Sequence, residues 1–324
     1  MPRAVRIDEF GGPEVLRVCE VNVADPGPGE VRVRHTAIGL NMIDTYYRKG
    51  LYSIGLPSGL GSEAAGVVTA VGDGVSGLHP GQRVAYASSP PLDAYSEERV
   101  IDAKWLVPLP DQIDERTAAA VMLKGLTAWY LLSRSYRVER GDWILLYAAA
   151  GGVGSLVAQW AASLGARVIG IVGSEAKRAI AESHGCEAVL LADDDIVARV
   201  RALTGGDGVP VVYDSIGRTT FYQSLDCLRR HGVMVSFGNS SGPVEPFSLL
   251  ELSKRGSLYV TRPTLFDFIR ERADLEEGCR KLFARIESRD VKVEIGQTYP
   301  LDRVAEAHRD LEGRRTTGST VLLP

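Results

Sequence analysis

Cysteine is scarce in this sequence: Cys19, Cys186, Cys227 and Cys279 are the only four in 324 residues, and no two have Cys-x-x-Cys spacing. That pattern fits reduced thiols in a cytosolic protein better than a disulfide framework or a metal site. Positive charge is not in excess either. Lys and Arg total 37 against 41 Asp and Glu, a net charge of −4. A protein held to nucleic acid by phosphate contacts would show a basic surplus, so nucleic acid is an unlikely partner. No apolar run approaches the ~18 residues of a membrane span. The N-terminal MPRAVRIDEF has charges every few residues and no apolar core, so it does not read as a secretory signal. Low-complexity tracts and solenoid repeats are absent as well. What is abundant is glycine, at 35 residues. Such a content suits many tight turns, or backbone brought close to a ligand.

The length is about twice a typical domain, and the texture changes near residue 120. Before it, short alternating runs (Ala4 to Ile7, Val31 to Ala37, Ala64 to Val71, Arg83 to Ala87) are punctuated by Pro and Gly, which predicts antiparallel strands. A short helix is expected over Asn41 to Arg48. From about residue 142, apolar strands alternate with amphipathic helices. The strands are WILLYA, ARVIGIV, AVLLA, VPVVYD, VMVSFG and SLYVT, with helices over 152–164, 175–184, 194–203 and 219–230. This predicts a doubly wound parallel α/β sheet of the Rossmann type. A long helix is expected over 266–288, and then a return to strand-like texture up to GSTVLLP. The dinucleotide-binding domain, 123–265, is thus expected to be inserted in a β-rich catalytic and substrate domain formed by 1–122 and 266–324.

In GDWILLYAAAGGVGSLVAQW, Ala149, Gly151 and Gly154 fall on the G-x-G-x-x-G spacing, with Ala in first place. The motif follows a strand, opens a helix and is followed by a second strand, the context that makes it a dinucleotide signal. Gly151, Gly152 and Val153 would bring backbone N–H groups and a helix N-terminus to a pyrophosphate. The acid that would take a ribose 2′-hydroxyl is missing at the second strand end, which reads Gly173 and Ser174. Lys177 could pair with a 2′-phosphate there. It could equally be a solvated helix residue, and Glu175 in the same turn would oppose the phosphate. The expectation is NADPH. Catalytic zinc needs three clustered ligands. The first domain offers Cys19, His35 and His79, with no ligand spacing among them, so no metal is expected.

Taken together, GGPEVL, AIGLNMIDTYYRKGLY, LPSGLGSEAAGVV, LKGLTAWYLL, AAAGGVG, VVYDSIG, SLDCLRR, MVSFGNSSG, GSLYVTRPTL and GSTVLLP cover essentially the whole chain. With these segments it resembles the zinc-free medium-chain dehydrogenase/reductase superfamily, in particular its zeta-crystallin-like quinone oxidoreductases. The zinc-dependent relatives have a ligand Cys where Asn41 stands and a Gly-His-Glu where this chain has Gly61-Ser62-Glu63. They also carry a four-Cys lobe where it has the short SSPPLDAYSEE. The resemblance implies a GroES-like fold for the β-rich domain and a substrate cleft between the domains. It places Asn41, Asp44, Tyr46 and Tyr52 in that cleft beside the nicotinamide. It implies cofactor contacts from Asn41, Gly151, Gly152, Val153, Gly173, Ser174, Lys177, Phe237, Gly238, Asn239 and Arg314. A close relative has Tyr where Ala192 stands, followed here by Asp193, Asp194 and Asp195, which weakens the adenosine end of the site.

Simpler readings stand beside these. Asn41 could cap the short helix. Asp44 could be solvated or could orient a neighbour, and the two tyrosines could line the cleft without donating a proton. Lys124 could be an interdomain contact, Asp193 to Asp195 a helix start, and Cys227 core packing. The expected activity is zinc-independent reduction of a quinone or similar conjugated carbonyl by NADPH. The alternatives are an NADPH-dependent enone or enoyl reductase and a non-catalytic NADPH-binding protein. GSLYVTRPTL, an apolar sheet-edge segment, would be covered in a homodimer.

Overall fold

The alternating segments at the start of the chain do pair as antiparallel strands. The structure, a computed structural model, describes residues 1–88 and 90–324; Ser89, inside SSPPLDAYSEE, lies outside them. In chain order come β1 (Arg3–Ile7), β2 (Arg17–Glu20), β3 (Glu30–Leu40), α1 (Met42–Arg48), β4 (Ser58–Gly59), β5 (Glu63–Val71), β6 (Arg83–Ala87), β7 (Glu98–Asp102), β8 (Val107–Pro108) and α2 (Glu115–Tyr130). β3 pairs antiparallel with β5, with Ile38 opposite Ala64 and Gly39 opposite Glu63. Inward residues such as Val31, Val33, Ile38, Leu40, Val84 and Tyr86 share one core.

Next follow β9 (Trp143–Tyr147), α3 (Gly152–Ser163), β10 (Arg167–Val172), α4 (Arg178–Ser183), β11 (Cys186–Leu191), α5 (Ile196–Leu203), β12 (Val209–Asp214), α6 (Phe221–Asp226), β13 (Leu228–Ser236), α7 (Leu250–Lys254), β14 (Tyr259–Thr261) and α8 (Leu265–Phe268). Among the described residues the six strands form a parallel sheet in the order β11-β10-β9-β12-β13-β14. The chain reverses its direction of travel between β9 and β12. In a doubly wound sheet that switch point is where a dinucleotide binds, at the carboxyl ends of the strands. Apolar residues dominate the central strands, as in a parallel sheet covered on both faces; every residue of β12 is buried, its terminal Tyr213 and Asp214 included.

After α9 (Arg272–Glu287), the chain closes with β15 (Ile295–Pro300), α10 (Val304–Glu312) and β16 (Ser319–Leu323). The second large sheet runs β15-β16-β3-β5-β6-β8, with β7 also on β3. The chain divides into two units. The first comprises Met1–Leu126, Ile269–Glu287 and Val293–Pro324, the second Thr127–Phe268 and Ser288–Lys292.

Three elements differ from expectation. The helix expected over 219–230 is only Phe221–Asp226. β13 begins at Leu228, and its register against β12 jumps from Val209–Leu228 to Val211–Val233, so Arg229 to Gly232 bulge out with His231 at φ 60°. Three exposed polar residues inside a strand mimic the solvated face of a helix. The helix expected over 266–288 is broken between Phe268 and Arg272. α10 arises within a stretch expected to be strand-like. Its buried stripe is Val304, Ala307 and His308, so a histidine stands where the apolar periodicity would need a hydrophobe.

Candidate functional site

Between β9 and α3 the backbone turns tightly through Ala148 to Gly151. Ala148 has φ 53°, and Gly151 N–H donates to its carbonyl at 2.8 Å. A Cβ on Gly154 would lie 2.1 Å from the Ala148 carbonyl oxygen, so only glycine lets α3 start this close to β9. Gly151 is the N-cap and offers no side chain to the first turn. The leading N–H groups of α3, on Gly152 and Val153, lack intrahelical partners, and with the helix dipole behind them they could take an anion.

The end of β10 is open. A Cβ on Gly173 would meet nothing within 4 Å, so the backbone there is open. Ser174 caps the 3-10 turn Glu175–Lys177, which brings Lys177 into the same loop. Glu175 does not stand free against a phosphate, since Arg178 Nε holds its carboxylate at 2.7 Å. At the next strand end Ala192 N–H bonds to the Val172 carbonyl at 3.0 Å. The acids after it are committed locally: Asp194 accepts from Leu191 N–H at 2.8 Å, and Asp195 caps α5 through Ala198 N–H at 3.1 Å. That is the helix-start reading.

The loops after β12 and β13 interlock. Fully buried Asp214 accepts from the N–H groups of Ile216 and Gly217 (2.7 and 3.1 Å) and from the hydroxyls of Thr220 and Ser224 (2.7 and 2.8 Å). Phe237 N–H donates to the Asp214 carbonyl at 2.8 Å. A Cβ on Gly238 would sit 2.4 Å from the Ser215 carbonyl. Phe237, Gly238 and Asn239 are thereby held at the C-terminal edge of the sheet, in the unit that contains the glycine turn. Arg262, just past β14, donates to the Ser236 carbonyl at 3.1 Å and adds a guanidinium to that edge.

The residues expected near the nicotinamide belong to the other unit. Asn41 is the N-cap of α1 and is buried. Its N–H donates to Asp44 Oδ2 at 2.9 Å and its side-chain Nδ2 to Glu63 Oε1 at 2.7 Å. Asp44 is not solvated. It is fully buried, and Tyr95 Oη donates to Oδ2 at 2.8 Å and Ser62 Oγ to Oδ1 at 3.2 Å. Burial, more than any neighbour, pushes its carboxyl up to about 7, and the Glu63 charge adds to the rise. Behind Tyr95 lies His308, whose Nε2 is 3.2 Å from Tyr95 Oη and whose Nδ1 is 2.8 Å from Arg48 Nη1. A guanidinium only donates, so Nδ1 is the acceptor, Nε2 carries the proton and donates to Tyr95, and Tyr95 donates to Asp44. Burial, with Arg48 and Lys49 nearby, holds His308 down to about 3. Arg48, fully buried, ends the chain on Glu312 with two 2.9 Å bonds.

Gly50, at φ 73°, turns the chain back after α1, so that the rings of Tyr46 and Tyr52 meet edge-on at 5.4 Å. Tyr46 is buried and Tyr52 half-buried. Arg314, exposed and at φ 57°, follows α10 in this same unit. The Lys124 ammonium is buried 2.9 Å from Glu63 within the first unit. Cys227 is buried in the core of the second unit, as packing predicts.

These donor sets do not fit zinc. Asn41 turns its nitrogen to Glu63, both Glu63 oxygens accept hydrogen bonds, and Ser62, where a zinc site would have a histidine, donates to Asp44. Among the described residues, no group of three His, Cys, Asp or Glu could hold a metal ion.

Residues 27–111 match the alcohol dehydrogenase GroES-like domain, and residues 152–283 match the zinc-binding dehydrogenase family. A quinone oxidoreductase of Pseudomonas aeruginosa is 52% identical over the whole of both chains. The chain belongs to the quinone oxidoreductase family. The crystal structure of the Escherichia coli quinone oxidoreductase complexed with NADPH superposes with a TM-score of 0.97 at 48% identity, covering 99% of this chain and all of that one. A 2-haloacrylate reductase from a Burkholderia species is 43% identical over all of this chain and 99% of its own.

Within this chain, the expected cofactor and cleft residues fall in two sets. Gly151, Gly152, Val153, Gly173, Ser174, Lys177, Phe237, Gly238 and Asn239 lie in the second unit, on strand-end loops. Asn41, Asp44, Tyr46, Tyr52 and Arg314 lie in the first. Sequence reasoning missed Tyr95, His308, Arg48 and Arg262, and it did not see the Glu63 partner of Lys124. The Gly61-Ser62-Glu63 motif was a visible signal for Glu63. Nothing local in sequence pointed to His308, which is 264 residues from Asp44 and reaches it only through the fold.

Proposed function

We propose that the protein reduces quinones with NADPH, without a metal. When bound, NADPH supplies the hydride; a quinone also takes up a proton and leaves as the hydroquinone. The observation that carries the cofactor assignment is the end of β10, where Gly173 leaves open space, Glu175 is neutralised by Arg178, and Lys177 lies in the same loop. The E. coli relative solved with NADPH supports the same reading, and the full-length identity to quinone oxidoreductases supports the acceptor.

The residues have separable tasks. Gly151, Gly152 and Val153 bind the pyrophosphate through backbone N–H groups. Ser174 and Lys177 take the 2′-phosphate, Phe237 to Asn239 contact the cofactor, and Arg314 contributes positive charge. Asn41, Tyr46 and Tyr52 meet the nicotinamide and the acceptor, while Asp44 holds Asn41. The chain works as a homodimer. Tyr259 on edge strand β14 is 62% exposed, and Tyr222, Leu249 and Leu250 of the same unit are exposed as well, an apolar surface that a second copy would cover. No helix among the described residues is long and apolar enough to cross a membrane, and we place the protein in the cytoplasm.

The test is NADPH absorbance with and without a soluble quinone, with elemental analysis of the same sample. Acceleration by quinone, insensitivity to EDTA and no stoichiometric zinc are expected. NADPH oxidation that a panel of quinones fails to accelerate would refute the reading. A second reading, reduction of an activated C=C bond, is favoured by the 2-haloacrylate reductase among the relatives. A saturated product from a conjugated carbonyl would identify it.

A further inference from the structure

The first unit buries an ion pair that stability does not require. Glu63 is fully buried and its partner Lys124 nearly so, with Nζ 2.9 Å from Oε1. Taking two charges out of water costs about as much as their attraction returns, and a well-packed apolar pair would do as well. Yet the surrounding backbone is fitted to this carboxylate. Gly39 lies opposite Glu63 in the β3–β5 ladder, and a Cβ there would fall 2.2 Å from Glu63 Oε1. Three donors converge on its two oxygens: Asn41 Nδ2 at 2.7 Å and Lys124 Nζ on Oε1, and Leu123 N–H at 2.6 Å on Oε2. Both oxygens must accept, which a carboxylate does and an amide cannot.

The consequence falls on Asn41. A flipped amide would press its carbonyl against the carboxylate, so the side chain has one orientation, nitrogen toward Glu63. Its backbone is fixed separately by Asp44. We propose that the Glu63–Lys124 pair is a positioning device that sets the Asn41 amide for the nicotinamide end of the cofactor. This rests on the reading that Asn41 meets the nicotinamide. Glu63 and Lys124 act through Asn41 and touch neither cofactor nor acceptor.

The experiment is a double-mutant cycle on the full chain with Glu63→Gln, Asn41→Ala and the two combined. It reads kcat and KM with a soluble quinone, and the affinities for NADPH and for 2′,5′-ADP, which lacks the nicotinamide. Glu63→Gln is expected to lower kcat/KM about tenfold and to leave 2′,5′-ADP affinity within about twofold. In the Asn41→Ala background it should cost less than about twofold more, because its route of action is already gone. A full tenfold loss in that background, or wild-type kinetics in the single Glu63→Gln variant, overturns the proposal. Wild-type kinetics and NADPH affinity in Asn41→Ala would instead remove Asn41 from the site and take the proposal with it. Should Glu63→Gln alone fail to fold around an unpaired Lys124, the paired Glu63→Gln, Lys124→Met variant leaves no buried charge and enters the same cycle.

Discussion

Replacing Asp44 with Asn should change how stability depends on pH, with a sign opposite to that of an ordinary acid. Burial lifts the Asp44 carboxyl from 3.8 to about 7. Between those values the unfolded chain has released a proton that the folded chain still holds. Stability therefore falls as pH rises through that window, by about 1.4 kcal/mol per pH unit and by about 4 kcal/mol across it. Oδ2 already accepts from Asn41 N–H and Tyr95, so the proton resides on Oδ1, the oxygen that faces Ser62 Oγ at 3.2 Å. An Asn side chain can keep this pattern, with its oxygen toward Tyr95 and its amide toward Ser62, and it does not titrate. His35, pushed down to about 4, and His308, to about 3, oppose Asp44, since each adds stability as pH rises toward 6.5. Both are present in either protein and cancel in the difference. Urea unfolding of wild type and Asp44→Asn, followed by far-UV circular dichroism from about pH 5 to pH 8, reads that difference. The variant should gain about 1.4 kcal/mol per pH unit on the wild type up to about pH 7, and the gap should be constant above it. A gap independent of pH over the whole range would show that the Asp44 carboxyl is already ionised at pH 5, and would refute the argument.

Lys177→Ala should weaken NADPH by on the order of 1 kcal/mol and leave NADH unchanged, as read by calorimetry. Gly154→Ala forces a methyl group to within 2.1 Å of the Ala148 carbonyl, so it should cost about 1–3 kcal/mol in thermal unfolding and raise the Kd for NADPH more than tenfold. Tyr46→Ala and Tyr52→Ala should each lower kcat/KM for a quinone about tenfold, near 1.4 kcal/mol, while the Phe variants keep most activity; equal losses in Phe and Ala would make a phenol the proton donor. Tyr259→Lys should yield monomers in light scattering at micromolar concentration.

The dinucleotide unit was legible because its signals are local. Apolar strands, tight glycine turns and helix starts are each written within about ten residues, and the missing acid at Gly173 and Ser174 is a one-position statement. The environment of Asn41 was not legible, because charge in a sequence normally means solvent. Asp44, Arg48, Glu63 and Lys124 look like surface residues until the fold pairs each with a partner, up to 264 positions away for Arg48 and Glu312. The same substitution of polar for apolar hid α10, where His308 interrupts the stripe. At β13 the Arg229 to Gly232 bulge hid the start of a strand behind exposed polar side chains. The resemblance singled out Asn41 and the tyrosines, but it said nothing of what holds them.

The position of β16 has a consequence for biosynthesis. Ser319–Leu323 is an interior strand, hydrogen-bonded to β15 on one side and to β3 on the other. The Ile38–Leu40 end of β3, formed early in synthesis, therefore stays without its partner on that side until residues 319–323 emerge from the ribosome, while Glu30–Arg34 is already paired by β7. Thr127–Phe268, by contrast, is nearly self-sufficient in sequence and can fold while translation continues. The nascent chain carries a finished nucleotide unit between two incomplete pieces of the other. A protein halted short of residue 319 would expose the β3 edge, an unpaired strand of the kind that recruits other chains.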